Sequence, residues 1–254
     1  MTQFSANLGF LWANRALPDA IRAAKAAGFD AVECHWPYDV PAQDVKAALV
    51  ETGLPMLGIN TRRGNVGTGD NGLCALPDRE DEALAAIAEA IEYAEEIGAK
   101  AVHVMAGFAE GEEAHRTFIR NLYVATRLAA SRGITILIEP LNRFDAPAYF
   151  LKTTLQAREI IEQVAAPNLK LMFDCYHIGR TEGDVIAQLK DLFPIIGHIQ
   201  FASVPDRGTP DHGEVDYREV YAQIEALGWH SPLGAEYKPQ GATDATLGWM
   251  RLPN

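Results

Sequence analysis

Cysteine is scarce in this chain: Cys34, Cys74 and Cys175 are the only three among 254 residues, an odd number with no CxxC spacing. That excludes a disulfide framework or a zinc knuckle and leaves reduced thiols with no assigned chemistry. Basic residues are in deficit, 22 Lys and Arg against 34 Asp and Glu for a formal charge of -12. Such a surface argues against nucleic acid or anionic lipid as partner and points to a small molecule. No apolar run approaches the roughly 18 residues of a membrane span, and MTQFSANLGFLW lacks the basic and apolar regions of a secretory leader. The expectation is a cytoplasmic protein with no membrane partner; homo-oligomerisation is left open. Nucleotide and acyl-transfer signatures are missing too. There is no GxxxxGK[ST] loop, no GxGxxG between a strand and a helix, no GxSxG elbow, and no serine or cysteine with an evident base. The glycine-rich segment from Gly64 to Gly72 reads as a mobile loop rather than a phosphate cradle.

No Pro/Ser-rich linker or break in composition divides the chain, so a single domain is expected over residues 1–254. The 48% hydrophobic content is ample for its core. Apolar strand-like runs alternate with amphipathic ones. The strands expected are Phe4 to Phe10, Ala31 to Trp36, Pro55 to Thr61, Ala101 to Ala106, Ile134 to Pro140, Leu169 to Asp174, Ile195 to Ala202 and Leu233 to Tyr237. Helices are expected near residues 17–27, 42–52, 79–97, 113–131, 153–165, 183–192, 216–227 and 243–250. Several end at glycine, namely Gly28, Gly53, Gly98, Gly133 and Gly228, as C-terminal caps do. In the third helix Leu84, Ile87, Ala88, Ile91 and Ala94 form an apolar stripe. Eight βα units around one core give the α/β class and a single (β/α)8 TIM barrel.

The chemistry is written at the strand ends. In ITILIEPLN, from Ile134 to Asn142, alternation sends Ile134, Ile136 and Ile138 to one side and Thr135, Leu137 and Glu139 to the other. A carboxylate at the end of such a run is costly to bury alone. The pattern recurs. Glu33, Asn60, His103, Asp174, Gln200 and Glu236 each fall near the C-terminal end of an apolar run, where a barrel of this type places its reacting centre. Three carboxylates and an amide make an oxygen-rich set that suits a hard divalent cation, Mg²⁺ or Mn²⁺, better than zinc. Without a cation, Glu139, Asp174 and Glu236 would raise one another's pKa values. Metal-assisted proton transfer or hydrolysis is what remains, with a purely structural metal as the alternative. His198 shares a face with Gln200 and reads as a histidine that orients a ligand rather than binds the metal. His35, His115 and His230 read as structural or exposed. Phe144, Phe150, Trp36 and Tyr237 read equally well as pocket walls and as core.

Seven segments together carry a resemblance: FSANLGFLW, AVECHWPYD, ILIEPLNRFDAPAYFL, FDCYH, IGHIQFAS, RGTPDHGEVDY and GAEYKP. Over nearly its whole length the chain resembles hydroxypyruvate isomerase, a family of the xylose isomerase-like barrels. The resemblance implies that Glu139, Asp174, Gln200 and Glu236 ligate a divalent metal, with Glu139 and Glu236 doubling as the proton-transfer pair. It implies further that His177 and Arg207 hold substrate oxygens, with Lys238 on the same face as Glu236. Gln200, where epimerase relatives usually carry histidine, favours the hydroxypyruvate isomerase branch. Ile59 before Asn60, the loop TRRGNVG and His103 depart from the family pattern at positions that choose the substrate. Asn60 and His103 stay among the substrate-binding candidates.

The activity so implied is an aldose-ketose type isomerisation of hydroxypyruvate to tartronate semialdehyde through an enediolate. The rival within the superfamily is a 2-oxotetronate isomerase or ketose 3-epimerase acting on a longer keto acid or sugar. Two other classes share the barrel. An abasic-site endonuclease would need a histidine-rich zinc cluster and a surface that tolerates DNA. A non-catalytic sugar-acid sensor would have no use for two opposed carboxylates on a metal. Arg207, helped by His177 or by Arg62 or Arg63, is expected to clamp the substrate carboxylate.

Overall fold

The computed structural model describes residues 2–251, so the domain boundaries expected at residues 1 and 254 lie outside the described residues. Strands and helices alternate: β1 (Phe4–Asn7), α1 (Leu17–Ala27), β2 (Ala31–Glu33), α2 (Ala42–Thr52), β3 (Gly58–Asn60), α3 (Glu80–Ile97), β4 (Ala101–His103), α4 (Gly111–Ala130), β5 (Thr135–Ile138) and α5 (Thr154–Val164). The chain continues through β6 (Leu169–Asp174), α6 (Cys175–Thr181), α7 (Val185–Leu192), β7 (Ile196–Phe201), α8 (Tyr217–Ala226) and β8 (Leu233–Ala235). All strand pairs are parallel, in the order β2-β1-β8-β7-β6-β5-β4-β3. β2 meets β3 through a Val32–Met56 bridge and the Val32 N–H to Pro55 C=O bond of 3.0 Å. The eight-stranded ring is therefore nearly closed, as a TIM barrel.

Register sets the height of the site. Asn7 stands opposite Glu33, Asn60 opposite His103, and Asp174 opposite Gln200, so the strand-end polar groups share one level. Two residues below them on the same face lie Ala101 under His103, Leu137 under Glu139 and Met172 under Asp174. These three form a small apolar cluster separate from the main core, which is the barrel filling on which the polar layer rests. The main core lies between sheet and helices. In α3 the buried stripe is Ala83, Ala86, Ile87, Ala90, Ile91, Ala94 and Ile97; of the expected positions, Leu84 and Ala88 fall at its half-buried edge.

Three features differ from expectation. A helix over Cys175–Thr181 follows β6 at once, because the Asp174 side chain accepts from Tyr176 N–H and caps it. A carboxylate at a strand end reads as a site residue, and its second role as a cap was missed. The eighth helix is a 3₁₀ helix over Thr243–Arg251, in a segment where Thr246 Oγ1 bonds Thr243 C=O and Gly248 weakens α-helical propensity. In the Arg62 to Pro77 loop, Gly64 and Gly72 provide close approach, whereas a Cβ at Gly69 would meet open space. A Cβ at Gly72 would meet Gly107 N at 2.6 Å, Gly72 N–H donates to Arg63 C=O at 2.9 Å, and Asp70 ties the loop to Arg79 at 2.7 Å. Gly28, Gly53 and Gly98 cap α1, α2 and α3 in the left-handed conformation, whereas Ser131 and Leu227 hold the cap positions of α4 and α8.

Candidate active site

The polar layer draws on every strand: Asn7, Glu33, Asn60, His103, Glu139, Asp174, Gln200 and Glu236 sit at or just beyond the ends of β1 to β8 in turn. All but Asn60, which is half-buried, are buried. Glu236 has three side-chain partners. Its Oε1 takes Asn7 Nδ2 at 3.1 Å and His35 Nε2 at 2.8 Å, and its Oε2 takes Arg207 Nη2 at 2.8 Å. His35, expected to be structural or exposed, is thus a direct partner of a site carboxylate. Arg207 reaches in from the loop after β7, with its guanidinium carbon 4.9 Å from the ring centres of both Phe10 and Tyr176. Its Nη2 also lies 3.7 Å from Asp174 Oδ2.

These surroundings separate the three carboxyls. Burial pushes Glu139 well above the usual carboxylate range, and the charges of Glu236 and Asp174 add to it. Asp174 is pushed up to about 7 by burial and by Glu236, against the pull of Arg207. Burial acts on Glu236 in the same sense, but Arg207 and the His35 hydrogen bond outweigh it and hold that group well below the usual range.

Two of the neighbouring histidines, His177 and His103, are held neutral by burial. Burial, reinforced by Arg207, lowers His177 to about 3. Its Nδ1 faces the backbone N–H of Asn142 at 2.9 Å and Asn142 Nδ2 at 2.8 Å. A backbone N–H only donates, so Nδ1 accepts and the proton resides on Nε2. That Nε2 lies 3.8 Å from Glu139 Oε1 and 3.6 Å from Asp174 Oδ2. Glu139, Asp174 and His177 are close enough to share an ion, yet in this tautomer His177 offers a hydrogen rather than a lone pair. His103, lowered to about 4 by burial, places Nδ1 3.5 Å from Glu139 Oε2, and neither of its ring nitrogens has a hydrogen-bond partner.

Three buried oxygens of the site also lack partners: Glu139 Oε1, Asp174 Oδ2 and Gln200 Oε1. Orphaned buried acceptors are costly unless something positive meets them. The set fits a hard divalent cation, which prefers carboxylate and amide oxygen. Of the four ligands expected, Glu139, Asp174 and Gln200 present open oxygens; Glu236 is instead occupied by Arg207, His35 and Asn7.

The other expected site residues are less central. Lys238 is exposed, linked to the site by its backbone N–H on Arg207 C=O at 2.7 Å. Arg62 is engaged by Glu89 at 2.7 Å. Arg63 is half-buried and stacks on Trp36, its guanidinium carbon 3.8 Å from the ring centre. Trp36 packs 4.9 Å from the His35 ring, which places Arg63 at the barrel mouth. Phe150 and Tyr237 are core, and Phe144 is exposed beside Arg143 and Arg180.

The family model of the xylose isomerase-like TIM barrel matches residues 21–252. The 2-oxo-tetronate isomerase of Cupriavidus necator is 41% identical and aligns over 99% of this chain and 98% of its own length. Hydroxypyruvate isomerase of Escherichia coli is 36% identical, with 98% of each chain covered. Among solved structures, a Brucella melitensis protein described as AP endonuclease, family 2, superposes with a TM-score of 0.95 at 33% identity over 98% of both chains. The E. coli 3-keto-D-glucoside 4-epimerase, at a TM-score of 0.82 and 23% identity over 99% of both chains, shares the fold. A match to the family model over residues 21–252 and relatives of this identity leave one conclusion: the chain belongs to the xylose isomerase-like TIM-barrel family and is an isomerase of its hydroxypyruvate isomerase and 2-oxo-tetronate isomerase group.

Proposed function

We propose that the protein interconverts hydroxypyruvate and tartronate semialdehyde by moving one proton between adjacent carbons. The observation that carries this reading is the pair Glu139 and Glu236, two buried carboxyls driven in opposite directions by their surroundings. Pairs held apart in this way divide into an acid and a base. Glu236, kept ionised by Arg207 and His35, takes the C3 proton; Glu139, which burial favours in the protonated form, delivers one to C2. The hydroxyl proton passes from O3 to O2, so the enediolate closes to the aldehyde with no net gain or loss of atoms. His177 Nε2–H, pointing at the gap between Glu139 and Asp174, donates to a substrate oxygen, and His103 and Asn60 line the same level. Glu139, Asp174 and Gln200 would hold Mg²⁺ or Mn²⁺ through their open oxygens, with Glu236 as a further ligand where Arg207 releases it. When bound, such a cation polarises a carbonyl and acidifies the carbon next to it.

The substrate is an acid. Arg207 is occupied by Glu236, and Arg62 by Glu89. Arg63, which has no carboxylate partner among the described residues, is the guanidinium left at the mouth for the substrate carboxylate. The Cupriavidus relative at 41% identity supports a second reading, the four-carbon 2-oxo-tetronate, which carries the same C2 carbonyl and C3 hydroxyl. The endonuclease reading is disfavoured. Among the described residues Glu139, Asp174 and His177 are the one group of three or more His, Cys, Asp or Glu side chains close enough to share an ion, not a histidine-rich cluster, and the charge of -12 opposes DNA. No helix of the described residues is long and apolar enough to cross a membrane, and a small keto acid is a substrate suited to the cytoplasm.

Proton NMR in D₂O with Mn²⁺-free and Mg²⁺-loaded protein tests the activity on hydroxypyruvate and 2-oxo-tetronate. The expected result is product carrying deuterium at C2, the carbon Glu139 protonates, with exchange at C3 in substrate to which Glu236 returns a solvent deuteron. Absence of both exchange and product with either acid, alongside turnover of a neutral ketose, would sink the keto-acid assignment.

A further inference from the structure

Gln200 poses a difficulty that a carboxylate ligand would not. A primary amide has an acceptor end and a donor end of nearly equal shape, and only the acceptor can face a cation. Something must hold it the right way round. Gln200 Nε2 donates to Glu33 Oε1 at 2.8 Å, while its own Oε1 is buried without a partner. Turned over, the amide oxygen would face the Glu33 oxygen, two acceptors with no proton between them. Glu33 is itself surrounded by donors: Asn7 Nδ2 reaches its Oε1 at 3.0 Å and His198 Nε2 its Oε2 at 2.7 Å. It is 3% exposed, and its oxygens are committed to these three partners.

The fold keeps room for this carboxylate. A Cβ on Gly234 of β8 would lie 2.6 and 2.7 Å from the two Glu33 oxygens and 2.8 Å from Gln200 Cγ. Real Cβ atoms do not tolerate such contacts, so glycine at 234 supplies space. The same Asn7 amide that bonds Glu33 also bonds Glu236 Oε1 at 3.1 Å, which joins the two carboxyls through one side chain.

We propose that Glu33 is a positioning residue for cation binding: it fixes the Gln200 amide with Oε1 presented to the ion, and Gly234 leaves the gap that lets it do so. The proposal rests on the cation site described under Proposed function. Its consequence is that Glu33→Gln, which keeps size but offers an amide to Gln200, lets that side chain turn over. Partners that orient ligands typically contribute 10- to 100-fold to metal affinity.

Calorimetry with Mn²⁺ on chelator-treated protein, with circular dichroism to confirm folding, provides the test. Glu33→Gln is expected to weaken Mn²⁺ binding about 10- to 100-fold, and the loss should largely vanish in a Gln200→Ala background, because Glu33 acts through that amide. Gly234→Ala keeps the Glu33 charge while displacing its carboxylate. Because the added Cβ also presses on Gln200 Cγ, it should weaken binding as well, and unchanged affinity in this variant overturns the proposal where Glu33→Gln does not fold. Unchanged Mn²⁺ affinity in the folded variants overturns the proposal but leaves the cation site standing. A loss equally large in the Gln200→Ala background also overturns it, since Glu33 would then act by charge alone. Wild-type protein that binds no Mn²⁺ removes the cation site and the proposal with it.

Discussion

Glu139 and Glu236 are the same side chain in opposite company. Glu139 meets apolar filling and two other acids, whereas Glu236 is held by Arg207, His35 and Asn7. Replacing either by glutamine preserves size and removes the transferable proton, so turnover should fall by at least about 10²-fold while the fold persists. Steady-state kinetics checks this, and near wild-type rates in two folded variants would reject the pair. Arg63→Gln should cost about 30-fold or more in kcat/KM on the acid substrate, the range for a desolvated carboxylate contact. Arg62→Gln, whose guanidinium is committed to Glu89, should change it less than about threefold. Equal losses in the two would show that general positive charge, not the Arg63 contact, is what matters. Residues of this kind were legible where strand alternation pointed them at the axis, as for Glu139, Asp174 and Gln200. Asn7 falls in the middle of the strand expected over Phe4 to Phe10, whereas in the structure that strand ends at Asn7. His35 lies beyond its strand and meets Glu236 across 201 residues of chain, which no local pattern reports.

Elements with strong periodicity, the strands and α1 to α5, are readable because each must bury one face. α6 is short and begins directly at a strand end, so it shows no period of its own. The loop from Arg62 to Pro77 was equally opaque, since glycine serves both slack and close approach. The arm of the loop that carries Arg63 is tied back by Asp70, whose Oδ2 accepts from Asn65 N–H and from Arg79 Nη1, each at 2.7 Å. Asp70→Ala should therefore loosen the segment that carries Arg63. The expected signature is a raised KM for the acid, with Mn²⁺ affinity unchanged because the open oxygens belong to other elements. Mn²⁺ titration beside substrate kinetics distinguishes the two, and an unaltered KM would show that Trp36 stacking alone places Arg63.

Across the whole molecule, the buried acids make stability depend on pH and on the cation together. Asp174, raised to about 7, and Glu139, raised well above its usual range, hold protons in the folded cation-free protein that the unfolded chain releases. A raised carboxyl contributes stability that is present at low pH and lost as pH rises through its folded value. Glu236, lowered, acts in the opposite sense, but its contribution is already complete above the unfolded carboxylate range. His103 and His177, lowered to about 4 and about 3, stabilise progressively as pH rises to the unfolded histidine value near 6.5, and so offset the acids below that point. Between about pH 6.5 and 8 the acids act without that opposition. The chelated protein should lose stability over this interval, at up to about 1.4 kcal/mol per pH unit for each group still protonated, and His198, raised against burial by the Glu33 charge, adds to the loss in both forms. Saturating Mn²⁺ displaces the Asp174 proton, while Glu139 can meet the ion through its open Oε1 and keep its proton on Oε2, so the dependence should flatten in part and the gap in melting temperature between the two forms widen with pH. Scanning calorimetry at about pH 6.5, 7.2 and 8, with chelator or with Mn²⁺, measures it directly. A gap that stays constant or narrows would mean that the cluster does not carry protons in place of a cation.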